Sequence, residues 1–173
     1  MMDNATVLHR LKEAFPEAIH DTQELRGDLS ITLQSIHLIA VARFLRDDPQ
    51  LQYIFLENLC GVDYLGREPR FEVVYHLLSF ANRHRICLKV GCSEEDPTVP
   101  SLTSLWPTAN WQERETYDMF GIIFSGHPSL KRILMPDDWE GHPQRKDVPL
   151  GAEEVAFTFN QDAIYAQKIF AKQ

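Results

Sequence analysis

Apolar positions along the first half of the chain switch between a helical and a strand spacing, and the switches mark out the elements. Val7, Leu8, Leu11, Ala14 and Phe15 recur at helical spacing behind Asn4, and Pro16 ends the pattern, so a helix is expected over 4–15. Leu29, Ile31 and Leu33 then alternate with Ser30 and Thr32, the pattern of a half-buried strand entered from Gly27. Ser35 stands where an N-cap belongs. Ile36, Ile39, Ala40 and Leu45 repeat behind it as the inner face of a second helix, closed by Asp47, Asp48 and Pro49.

Three further strands are expected over 53–65, 70–80 and 85–92. The turn sequence Gly66-Arg67-Glu68-Pro69 joins the first two as an antiparallel hairpin. Residues 93–107 read as a loop with one short helical turn before Pro107. Pro107 and Gly121 then bracket a third helix, Pro at its first turn and Gly at its C-terminal cap. This order predicts an α+β fold with helices packed on one face of a mixed, mostly antiparallel sheet. Residues 1–148 are expected to form that domain. Residues 149–173 carry Phe157, Phe159, Tyr165 and Phe170 with no neighbouring element to pair with, and read as an extended C-terminal arm that docks on partners.

Composition narrows the function classes. The chain has 173 residues and a net charge of −8, with a pI near 5.3. That balance opposes nucleic-acid binding and adhesion to an anionic lipid surface, both of which need a basic footprint. No apolar run of about 18 residues is present, and the N-terminus lacks the apolar core of a signal peptide. A cytosolic location is expected, with membrane contact only through a partner. Cys60, Cys87 and Cys92 lack the companion ligands of a metal or iron–sulfur site and read as core or strand-end thiols. No cofactor is expected.

The candidate chemistry lies in residues 112–147. On the third helix Trp111, Arg114, Glu115 and Asp118 share one face, while Glu113, Thr116, Tyr117 and Phe120 share the next, so charged and apolar residues are mixed on both. Its charges are expected to pair outside the helix. Three readings stand at this point: an active site with Glu113, Glu115 and Asp118 as carboxylates beside His127 or His142, a salt-bridged solvated helix, and a polar docking surface. No nucleophile, phosphate cradle or HExxH pattern accompanies the carboxylates.

A resemblance separates these readings. The run ERETYDMFGIIFSGHPSLKRIL resembles the signature of the thirty-kilodalton subunit family of respiratory complex I, the C subunit of bacterial NADH-quinone oxidoreductase. That signature is Glu-Arg-Glu, an acid, two apolar residues, a later His or Lys, a basic residue and paired aliphatics. Glu113, Arg114, Glu115, Asp118, Met119, Phe120, His127, Lys131, Ile133 and Leu134 fill its fixed positions, and Gly141, Pro143, Arg145, Lys146 and Asp147 extend the likeness.

The resemblance implies a non-catalytic structural subunit of the peripheral arm of complex I, without flavin, iron–sulfur cluster or quinone ligand of its own. It implies packing chiefly against the quinone-site subunit (the forty-nine-kilodalton, or D, subunit) and neighbouring Fe–S subunits, on the cytoplasmic side of the inner membrane. The complex passes electrons from NADH to quinone and couples this to proton translocation. On this reading the third helix holds the loop after it, while Lys131, Arg132, Arg145 and Lys146 meet acidic or carbonyl groups on a partner. The equivalent component of a membrane-bound hydrogenase or formate hydrogenlyase, and an independent small-molecule enzyme, are the rival readings.

Overall fold

The computed structural model describes residues 2–148, so the expected arm over 149–173 lies outside the described residues. Eleven elements run in the order α1 (Asn4–Ala14), β1 (Ile19–Leu25), β2 (Asp28–Leu33), a 3₁₀ turn (Ser35–His37), α2 (Leu38–Asp47), β3 (Phe55–Asp63), β4 (Phe71–Ser79), β5 (His84–Cys92), β6 (Thr98–Pro100), α3 (Ala109–Phe120) and β7 (Ile123–Ser125). Five strands form one sheet in the order β1-β2-β5-β4-β3. Only the β2–β5 pair in it is parallel, with Leu29 opposite Ile86 and Leu33 opposite Val90. The fold is therefore the expected α+β arrangement around a mixed, mostly antiparallel sheet.

The core lies between the helices and one face of the sheet. Strand periodicity sends Leu29, Ile31, Leu33, Val73, Tyr75, Leu77, Leu88 and Val90 to that face, where Val7, Leu11, Val41 and Leu45 of the helices meet them. Two glycines set how closely flanking pieces approach. A Cβ on Gly61 of β3 would sit 2.8 Å from the Phe120 ring and 2.9 Å from Thr116 of α3, and one on Gly91 of β5 would sit 2.4 Å from the Pro69 ring. Pro69 ends the 66–69 turn, which closes the expected β3–β4 hairpin.

Four local readings change. Asp3, one residue earlier than expected, caps α1 by accepting the Thr6 N–H at 2.8 Å. Asn4 instead ties the helix to the sheet, donating to the Gly27 carbonyl and accepting from His84 Nε2. The edge strand β1 has no apolar alternation in its sequence. It exists because Arg26 and Gly27, with φ of 55° and 91°, form a two-residue turn that folds it back on β2.

Ser35 opens a 3₁₀ turn and does not cap α2. Three residues per turn there shift the phase of the inner face to Leu38, Val41, Ala42 and Leu45, leaving Ile36 81% exposed and Ala40 in solvent. Residues 93–107 also contain a strand, β6, which pairs in parallel with β7 after α3. The turn before Pro107 is present, with the Trp106 N–H on the Leu102 carbonyl.

Candidate functional site

Helix α3 leaves its last carbonyls without intrahelical partners, as every α-helix does. Gly121, left-handed at φ 77°, stops it and returns its own N–H to the Tyr117 carbonyl. Ile122 and Phe124 then anchor β7 in the core, and Gly126 turns the chain into a long strap, 127–148, that runs back over the helix end. The strap supplies the missing donors in order. His142 Nδ1 donates to the Asp118 carbonyl at 2.9 Å, the Gln144 N–H to Met119 at 3.1 Å, and Arg145 Nε to Phe120 at 2.6 Å. A cation at the negative end of a helix is favourable, so Arg145 serves by charge as well as by hydrogen bonding. A Cβ on Gly121 would fall 2.6 Å from both Arg145 and His142, which fit over it only because it is glycine.

Asp118 fastens the strap from the other side. Its Oδ1 accepts Arg132 Nη1 at 2.6 Å, and its Oδ2 accepts the N–H groups of Ile133, Leu134 and Met135 at 3.0, 2.8 and 2.9 Å. The side chain is fully buried. Burial alone would raise its pKa, but the Met135 N–H, the Arg132 guanidinium and the other two N–H groups outweigh burial and hold it below the usual aspartate value. Arg132 reaches on to the carbonyls of Trp139 and Gly141 at 2.9 and 2.8 Å. Arg114 grips the strap as well, its Nε and Nη2 each 3.0 Å from the Lys131 and Arg132 carbonyls, and its guanidinium lies over Trp111.

Glu113 is buried on a different face of α3. Its Oε2 accepts the Ser101 hydroxyl at 2.6 Å and its Oε1 the Leu102 N–H at 2.7 Å, so it ties α3 to the segment after β6. Burial pushes its pKa up to about 7, against the opposing pull of those two donors.

The strap ends on a second charge cluster. Arg70 holds Asp63 through two 3.0 Å bonds at the mouth of the β3–β4 hairpin and also pairs with Glu94 and Asp147. The Lys146 N–H completes it on Asp63 Oδ2 at 2.8 Å. The Arg70 hydrogen bonds lower the Asp63 pKa further than burial raises it.

The sequence-predicted residues thus divide. Glu113, Arg114, Asp118, Arg132, Arg145 and Asp147 are joined inside the chain, and His127 clamps the strap to α3, with Nε2 3.2 Å from the Asn110 carbonyl. Glu115 is exposed and makes no hydrogen bond or ion pair among the described residues. Lys131 and Lys146 engage through backbone atoms while their side chains are exposed. The expected face shared by Trp111 and Asp118 is split, since Trp111 is 62% exposed and Asp118 is buried. Sequence reasoning missed Asp63, Arg70 and Ser101. Opposite charges on either side of the 66–69 turn were the available signal for the first two.

Chemically the site is closed. Glu113 and Asp118 face the interior, and His142 turns Nδ1 onto a helix carbonyl while burial lowers its pKa. Among the described residues, no group of three or more His, Cys, Asp or Glu is placed to hold a metal ion. What the geometry does is fix a strap and two loops against one helix.

The respiratory-chain NADH dehydrogenase 30 kDa subunit profile matches residues 31–154. A chain named as the C subunit of NADH-quinone oxidoreductase from Roseiflexus castenholzii (strain DSM 13941 / HLO8) is 74% identical over 172 residues, covering 99% of both chains. The chain of the same name from Herpetosiphon aurantiacus is 60% identical over 173 residues, covering 100% of both. Among solved structures, a trypsin-resistant fragment (1–134) of Nqo5 is 35% identical with a TM-score of 0.61, covering 72% of this chain and 99% of the fragment. A chain of the membrane-bound sulfane sulfur reductase, an archaeal respiratory membrane complex, shares the fold with a TM-score of 0.70 at 22% identity, over 84% of this chain and 85% of that one. The chain belongs to the 30 kDa subunit family of the respiratory-chain NADH dehydrogenase.

Proposed function

We infer that this chain is a non-catalytic structural subunit of the peripheral arm of proton-translocating NADH:quinone oxidoreductase. One observation carries the structural role. Of the carboxylates and arginines that could have formed an active site, Glu113, Asp118, Arg132 and Arg145 are occupied with one another or with hydroxyl and backbone groups that fix the strap and loops, and only Glu115 is left exposed. The near full-length identity to chains named as the C subunit of NADH-quinone oxidoreductase favours this complex over the hydrogenase and formate hydrogenlyase reading. The likeness to the sulfane sulfur reductase chain speaks for the fold alone.

Within the complex the chain is proposed to brace the quinone-site subunit (the D subunit) and neighbouring Fe–S subunits. Domain 1–148 provides the rigid body, and the arm 149–173 with its aromatic residues makes a second attachment. No helix among the described residues is long and apolar enough to cross a membrane. The chain is proposed to attach on the cytoplasmic side through the other subunits. Among the charged groups left for partners the strap would present Lys131, Asp137, Asp138, Glu140 and Lys146, with Glu115 beside it on α3.

Affinity purification of the tagged chain from its native membranes tests the reading. The expected result is co-purification with NADH–quinone turnover, and loss of the assembled complex when the chain is depleted. Turnover that persists in assembled complex lacking the chain would overturn it, as would catalysis by the purified chain alone.

A further inference from the structure

The helices cover one face of the sheet; on the other, Pro69 of the 66–69 turn sits over Gly91 at one end, and no helix or strand among the described residues covers the rest. On that open face all five strands line a groove of about 610 Å³ with Cys60, Val62, Val74 and Cys87 on its floor and Leu25 at its rim. Val74 and Cys87 are each only 8% exposed although no other described element lies over them, whereas Leu25 is 63% exposed. The two bases in the groove are already engaged: Arg85 lies 2.9 Å from Glu57, and Lys89 lies 3.9 Å from Glu72. Asp28 is left over, and the Glu72 Oε1 that Lys89 faces is buried with the ammonium beyond hydrogen-bond distance. A buried acceptor of this kind calls for a donor. The groove is thus apolar along its floor and acidic in its surplus charge.

We propose that this open sheet face is a subunit interface, filled in the assembled complex by an apolar segment of a neighbouring subunit that carries a lysine or arginine toward Asp28 and Glu72. The proposal rests on the reading of the chain as a complex I subunit and names the surface and chemistry of one of its contacts. A second copy of this chain is a poor occupant, because a net charge of −8 opposes self-association across an acidic groove.

The test places a thiol at the rim by Leu25→Cys and follows its alkylation, read by mass spectrometry of the labelled peptide, in the free full chain and in the purified complex. Fast labelling in the free chain and at least about tenfold slower labelling in the complex is expected, since a segment that fills the groove from its floor to Leu25 covers position 25 and keeps reagent from it. Equal labelling in the two would overturn the proposal. Protection already present in the free chain would also overturn it, and would assign the groove to residues 149–173 or to a second copy. A companion variant, Val62→Lys, sets a cation on the apolar floor of a solvent-facing strand. It should leave the melting of the free chain nearly unchanged and cut its incorporation into the complex severalfold, while incorporation equal to wild type counts against the face. If the complex assembles and turns over while the introduced thiol stays reactive, the subunit reading stands and only the assignment of this face falls.

Discussion

Two carboxylates five positions apart on α3, both fully buried, are driven in opposite directions by their partners. Asp118 has a guanidinium and three backbone N–H groups, enough to hold a charge inside the protein. Glu113 has one hydroxyl and one N–H, no cation, and the buried Tyr75 hydroxyl close enough to feel its charge. Its pKa rises from 4.5 to about 7. An acid whose folded pKa lies above its unfolded value holds its proton in the native state while the unfolded chain has lost it. Stability therefore falls as pH rises through the window from 4.5 to about 7. Asp118 and Asp63 act oppositely, since their lowered values give stability that is lost only as pH drops through their folded pKa. Glu113→Gln keeps an acceptor for Leu102 and a donor for Ser101 but cannot ionise. Chemical denaturation of the two proteins across this window should show wild type losing on the order of 2–3 kcal/mol more than the variant. Parallel stability curves would show that Glu113 does not titrate in the fold.

At the scale of elements, the strap has no regular structure of its own and depends on side chains of α3. Asp118→Ala would strand Arg132 and three N–H groups in a buried site, a change that typically costs about 3–5 kcal/mol when one partner of a buried pair is lost. The expected outcome is a lower urea midpoint and faster proteolysis within 131–145, and an unchanged midpoint would remove Asp118 from that role. This dependence also explains what the sequence can and cannot show. Elements with an apolar period are legible, namely α1, β2, the β3–β4 hairpin and β5, and α3 is legible from Pro107 and Gly121 at its ends. β1 is hidden because an edge strand exposed on most of its residues needs no apolar alternation, only the Arg26–Gly27 turn and a neighbour to pair with. The inner face of α2 differs from its expected one because the 3₁₀ turn shifts its phase, which periodicity alone does not reveal. The mixed faces of α3 announce that its charges need partners outside the helix. That those partners are strap backbone groups depends on long-range folding, as does the pairing of Arg70 with Asp147.

For the whole molecule, the internal use of Arg132 and Arg145 changes which charges are left to meet other subunits. Reversing either arginine would damage the domain first, because one holds Asp118 and the other caps α3. Lys131 and Lys146 are different. Both side chains are exposed and both hydrogen bonds run through the backbone, but the Lys146 charge also favours ionised Asp63, so only the Lys131 side chain can be changed without touching the fold. An exposed substitution of this kind usually moves stability by no more than about 0.5 kcal/mol. At an interface the same charge meets complementary groups, and reversing it adds repulsion that is strongest at low ionic strength. The variant Lys131→Glu should therefore melt like wild type as a free chain. In competition with the wild-type chain it should enter the complex severalfold less, with the deficit shrinking as salt is raised. Equal incorporation at low salt, measured by the ratio of variant to wild-type peptides in the purified complex, would place the charged contacts of this subunit somewhere other than Lys131.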